Sequence, residues 1–93
     1  MAKIHTFTAN DATGVSFPWD GGEGVLLTSG TFGGGKVSLK QDINGTFVTF
    51  ANGSKSGSGG FKFVTTAPNL KLTFTNATTT PNVYVSVQQV KPH

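Results

Sequence analysis

Residues 36–51 read Lys-Val-Ser-Leu-Lys-Gln-Asp-Ile-Asn-Gly-Thr-Phe-Val-Thr-Phe-Ala. Over Lys36–Gln41 the apolar positions recur at every second residue, with Val37 and Leu39 to one side and Lys36, Ser38 and Lys40 to the other. That period belongs to a strand with one buried face. Asp42-Ile43-Asn44-Gly45 follows, and Asn-Gly between two such runs is the strongest short-range hairpin signal, because a tight two-residue turn needs positive φ at both central positions. Thr46–Ala51 then returns, with Val48 and Phe50 predicted inward. A hairpin that is apolar on one face must cover that face with another layer.

The same pattern extends to both sides. Leu70–Thr75 alternates Leu70, Leu72 and Phe74 against Lys71, Thr73 and Thr75. Phe61–Thr65 sets Phe61 and Phe63 against Lys62. Val83–Val90 carries Val83, Val85 and Val87 in phase and Val90 out of phase, which predicts a bulge near Gln88-Gln89. Upstream, Gly24–Thr31 holds Val25-Leu26-Leu27, apolar on both faces as in a central strand. Lys3–Thr8 reads as a first strand, and Gly14–Phe17 as a short extended piece stopped by Pro18. Phe32–Gly35 and Asn76–Asn82 read as turn and loop, and Asn52–Gly60 as a solvent-facing loop. No segment supports a helix of more than one turn.

Seven or eight short strands at this spacing predict an all-β protein, a single antiparallel β-sandwich of jelly-roll or Ig-like type. The predicted inward set is Val25, Leu27, Val37, Leu39, Val48, Phe50, Phe61, Phe63, Leu70, Leu72, Phe74, Val83, Val85 and Val87. Residues 21–93 form the predicted sandwich. Residues 1–20 form an N-terminal strand or arm that packs on it or on a neighbour.

Ninety-three residues make one small domain, and a chain of this size buries only about 60–65% of its unfolded surface. Disulfides, metals or oligomerisation are the usual supplements. Cysteine is absent, so a homo-oligomer or a larger partner is the expected one. The net charge of +3 comes from seven lysines and no arginine. They are scattered, and they lack the planar guanidinium fork suited to phosphate and guanine, so no nucleic-acid partner is expected. No stretch approaches the roughly 20 apolar residues of a membrane helix. Polar residues from His5 to Asp11 interrupt any signal-peptide core. The expectation is a protein made in the host cytoplasm without membrane association.

Side chains with chemical potential are few. His5 lies in the first strand and His93 at the end of the chain. The acids Asp11, Asp20, Glu23 and Asp42 fall in or beside turns. A metal site needs several converging ligands, and no serine stands in a triad motif. Asp20 and Glu23 are better read as a polar turn than as a glycosidase pair, since one loop rarely supplies both faces of a sugar site. Gly33-Gly34-Gly35-Lys36 lacks the spacing and the following helix of a phosphate loop. Asn44-Gly45-Thr46, Asn52-Gly53-Ser54 and Asn76-Ala77-Thr78 match the glycosylation pattern but read as turn chemistry. No catalytic residue, metal ligand or cofactor is expected, and the chain is not read as an enzyme.

Large apolar groups in the irregular N-terminal segment are a different matter. Phe7, Phe17 and Trp19 either close the core or anchor a contact with another subunit. Together with Ile4 they are the predicted protein-interface residues.

Residues 24–41, Gly-Val-Leu-Leu-Thr-Ser-Gly-Thr-Phe-Gly-Gly-Gly-Lys-Val-Ser-Leu-Lys-Gln, lead to Asp-Ile-Asn-Gly-Thr-Phe-Val at 42–48, Leu-Lys-Leu-Thr-Phe-Thr-Asn-Ala-Thr at 70–78 and Val-Tyr-Val-Ser-Val at 83–87. This layout resembles the small β-sandwich virion accessory proteins of tailed bacteriophages: capsid decoration (cement), knob or fibre-type proteins. The resemblance covers about two-thirds of the chain and leaves residues 1–20 outside. It implies a structural virion protein, a capsid decoration protein that binds and stabilises the outer shell. Its partner would be the major capsid protein or another virion protein, and its location the virion. In this resemblance Gly33, Gly34, Gly35 and Asp42–Gly45 are turn residues and supply no ligand. The alternative is a tail or fibre-tip adhesin or carbohydrate-binding module that takes a glycan through Trp19 or Tyr84.

Overall fold

A computed structural model describes residues 2–91; the side chains at 2, 51, 52 and 91 lie outside the description, as does the whole of His93. Eight strands follow one another: β1 (Ala2–Phe7), β2 (Asp11–Pro18), β3 (Gly22–Thr31), β4 (Lys36–Ile43), β5 (Thr46–Lys55), β6 (Gly59–Thr65), β7 (Asn69–Thr75) and β8 (Asn82–Lys91). They form two four-stranded antiparallel sheets, β1-β8-β3-β6 and β2-β7-β4-β5.

The strand order has a simple logic. β4 pairs with β5, β3 with β6, β2 with β7 and β1 with β8. The chain is therefore one long hairpin, its turn at Asn44-Gly45 (φ +54° and +89°), whose two arms wind together between two layers. This is a jelly roll. It excludes the Ig-like order, in which the first strand pairs with the second.

The core lies between the layers. Leu26, Val37, Leu39, Leu70, Leu72, Phe74, Val83, Val85 and Val87 are fully buried, and Phe7, Phe17, Trp19, Phe32 and Phe63 complete the cluster. Eight of these, Val37, Leu39, Leu70, Leu72, Phe74 and the three valines of β8, belong to the predicted inward set, as does Phe63; Phe50 and Phe61 pack against the cluster partly buried. In β3 the expected phase is wrong by one residue. Leu26 stands opposite Val87 in the inward row, and Leu27 stands opposite Ser86 on the outer face. Val25 and Leu27 are therefore not core. Val48 is also exposed: it lies opposite Gln41, whose side chain accepts the Thr65 hydroxyl rather than joining the apolar layer.

The segment expected as a loop at Asn52–Gly60 is mostly strand, since β5 runs to Lys55 and β6 begins at Gly59. An irregularity made the segment hard to read. Ser38 faces Ser54 and Lys40 faces Thr49, so β5 spends extra residues between those pairs, and Phe50 reaches the core there against Phe63, ring centroids 5.4 Å apart. The expected irregularity in β8 is present: Gln89 faces Gly24 and Lys91 faces Glu23, leaving Val90 as the additional residue.

Residues 1–20 are not an appended arm. β1 forms an edge of one sheet and β2 an edge of the other, so the expected division at residue 20 does not separate two structural units. Trp19 continues from β2, its backbone N–H bonded to the Pro68 carbonyl at 2.8 Å.

Candidate functional site: the outer face of one sheet

The four residues predicted to anchor an interface separate into two groups. Phe7, Phe17 and Trp19 are 2%, 6% and 4% exposed. Phe7 stacks on Phe74 with centroids 5.6 Å apart, and Trp19 tilts against Phe63 at 5.3 Å. They close the chain's own core, and the expectation that they contact a partner is corrected. The reason lies in the strand order: Phe17 faces Leu70 across β2–β7 and Phe7 faces Val83 across β1–β8, so the apolar positions of the first two strands share rows with core residues. Ile4 alone of the four is exposed, at 57%.

Ile4 belongs to a row that crosses the β1-β8-β3-β6 sheet: Ile4 faces Ser86, Ser86 faces Leu27, and Leu27 faces Gly60. Successive side chains of a strand alternate between faces, so this row looks outward. Ser86 is buried between exposed Ile4 and Leu27 and accepts a hydrogen bond from the Gln88 side chain at 3.4 Å. Gly60 leaves room for Leu27. A Cβ on Gly60 would stand 2.6 Å from Leu27 Cδ2, so the missing side chain lets the leucine lie across β6.

Tyr84 occupies the next row toward one end, between Thr6 and Ser29. Toward the other end Val25 lies between Gln88 and Lys62, and Val64 lies opposite Glu23. Ile4, Leu27, Tyr84 and Val64 are all exposed large apolar groups. The face thus has an apolar middle with Lys62, Gln88 and Glu23 around it. Sequence reading missed Leu27 and Val64. Their signals were the apolar run Val25-Leu26-Leu27, which exceeds what one face can bury, and Val64, which breaks the alternation of Phe61 and Phe63.

The outer face of the other sheet is different. Ser16, Lys71, Lys40 and Thr49 form one cross-strand row. Lys71 Nζ lies 4.5 Å from the Phe47 ring centroid, and Asn69 donates to Asp42 at 3.4 Å. That face is polar and basic where the first is apolar.

The acids serve the backbone in two places. Asp11 accepts the Gly14 N–H and Asp42 the Gly45 N–H, each at 2.8 Å. Asn44 and Asn76 hold positive φ, in keeping with turn chemistry at two of the three glycosylation patterns, whereas Asn52 falls within β5. Among the described residues no three His, Cys, Asp or Glu side chains converge to hold a metal ion, no pocket opens, and no helix is long and apolar enough to cross a membrane.

No protein-family model matches the sequence, and no curated protein does. Solved structures do resemble it. The Yersinia pseudotuberculosis-derived mitogen superposes over 100% of this chain and 89% of its own, with a TM-score of 0.65 at 12% identity. The SPBc2 prophage-derived protein YomS matches over 94% and 92%, with a TM-score of 0.59 at 15% identity. PliG of Aeromonas hydrophila, a periplasmic inhibitor of g-type lysozyme, matches over 95% and 83%, with a TM-score of 0.59 at 13% identity. A mitogen, a prophage-derived protein and an enzyme inhibitor have unlike roles, and likeness at these identities establishes the shared fold alone.

Proposed function

We propose that this chain is a structural virion protein, a capsid decoration protein that docks on the outer shell through the outward face of the β1-β8-β3-β6 sheet. The observation that carries this reading is the exposed apolar set Ile4, Leu27, Tyr84 and Val64 gathered on one sheet face. Contiguous apolar surface with a polar rim marks an interaction site. The motif layout at 24–87 and the fold shared with a prophage-derived protein support a phage particle as the place of docking.

The mechanism is linkage. A protein that binds the assembled shell and not its free subunits stabilises the shell by mass action. Modest contacts repeated around a symmetric particle add to a firm attachment. The test is the number of copies per particle, measured by quantitative mass spectrometry on purified particles from cells that carry the gene. A copy number on the scale of the capsid subunits supports decoration. A handful supports the tail or fibre-tip alternative, for which exposed Tyr84 remains a glycan platform while buried Trp19 does not. None overturns both.

A further inference from the structure

A β-sandwich of two open sheets has four edge strands, and an edge with unpaired N–H and C=O groups is a template for another strand. Natural sheets protect such edges with bulges, prolines, glycines and charges. Three of the four edges here are protected in this way. β2 shifts register between Asp11 and Val15 and ends at Pro18. β5 shifts register opposite Ser38–Lys40. β6 begins with Gly59-Gly60 and carries exposed Lys62 at its centre.

β1 differs. Its six residues pair with β8 in unbroken register from Ala2 to Phe7, and they include no proline and no glycine. The outward side chain near its centre is Ile4, 57% exposed, and the one lysine, Lys3, lies toward its start. We infer that a second copy of this chain pairs with it edge to edge along β1, antiparallel, about a two-fold axis at Ile4. The occupant is a second copy because only two β1 edges meet without a lysine at the axis. The same operation on β6 would set Lys62 against Lys62, and like charges directly opposite are destabilising. A β1-to-β6 contact would be head-to-tail and would propagate as an open chain rather than close.

The axis position follows from the side chains. With the two-fold at Ile4, each Ile4 meets its own copy on the outer face, and Thr6 meets residue 2 of the partner. With the two-fold at His5, Ile4 would meet Thr6 and the apolar pair would be lost. A slip of one residue turns every side chain to the other face. The result is a continuous eight-stranded sheet, β6-β3-β8-β1 running into its symmetry mate. The two copies of the Ile4, Leu27 and Tyr84 patch then lie side by side on one surface.

The experiment needs no particle, so its failure is distinct from failure of the decoration reading. Light scattering on the full chain is expected to give twice the chain mass over a wide concentration range. Because the chain has no cysteine, Ile4→Cys reports the axis cleanly: mild oxidation is expected to link two copies. Thr6→Cys is the control, since its two sulfurs would sit four residues apart along the strands, about 13–14 Å, well beyond the roughly 4–7 Å Cα separation of a disulfide. Ile4→Lys is expected to run at half the wild-type mass with unchanged circular dichroism. A monomeric wild-type chain overturns the proposal. So does a dimer that Ile4→Cys fails to link, or one that Thr6→Cys links as readily.

Discussion

The rings of Trp19 and Phe63 meet at 5.3 Å and 46°, directly over the α-carbon of Gly24. A Cβ built on Gly24 would stand 2.5 Å from Phe63 Cζ and 2.7 Å from Trp19 Cη2. Two aromatic side chains, one following β2 and one on β6, close one region of the core because a residue of the strand beneath them has no side chain. Trp19 is 4% exposed and its indole Nε1 has no hydrogen-bond partner among the described residues, so packing rather than polar contact holds it there.

Gly24→Ala tests that arrangement. Both rings are themselves packed, and overfilling of this kind costs about 1–3 kcal/mol. The expected outcome is a lower urea midpoint with an unchanged slope, together with a shift in the emission of the single tryptophan.

The N-terminal strands are predicted to be core and not arm. Phe7→Ala and Phe17→Ala each remove a buried ring and should cost about 3–5 kcal/mol of stability. Ile4→Ala should change the stability of the isolated domain by no more than about 0.5 kcal/mol. Denaturant titration of the three variants decides it. An Ile4 effect as large as that of Phe17 would place Ile4 in the folding core.

Thr65 joins the two layers. Its hydroxyl donates to Gln41 Oε1 at 2.8 Å and accepts the Ala67 N–H at 3.0 Å, and it is buried. Thr65→Val keeps the shape and strands a buried donor, which costs about 1–3 kcal/mol. Thr65→Ser is expected to restore most of the loss. Thermal melts of the pair separate the hydrogen bond from the packing.

The docking face can be altered without harming the fold. Leu27→Ser combined with Val64→Ser changes two exposed residues and should move the unfolding midpoint by less than about 1 kcal/mol, each surface change staying within about 0.5. The same variant should lose attachment to particles in a sedimentation assay. Full attachment would direct attention to the lysine-bearing face of the other sheet.

Much of this fold was readable from residue order alone. Alternation at Lys36–Gln41 and Leu70–Thr75, with Asn44-Gly45 between paired runs, is local information, because a strand's period and a turn's φ values depend on near neighbours. That was enough for an all-β sandwich, for its lack of helix and for most of its core.

The face of Val25-Leu26-Leu27 and the positions of Phe7, Phe17 and Trp19 depended on contacts between residues far apart in the chain. Three consecutive apolar residues carry no phase of their own; the pairing of Leu26 with Val87 sets it. Isolated aromatics in an irregular segment fit a core or an interface equally well until β1 pairs with β8 and β2 with β7. Local preference decides that a segment is a strand, whereas long-range pairing decides which of its two faces is buried. Here that choice moved Phe7, Phe17 and Trp19 from the expected interface into the core, and put Leu27 and Val64 on the surface in their place.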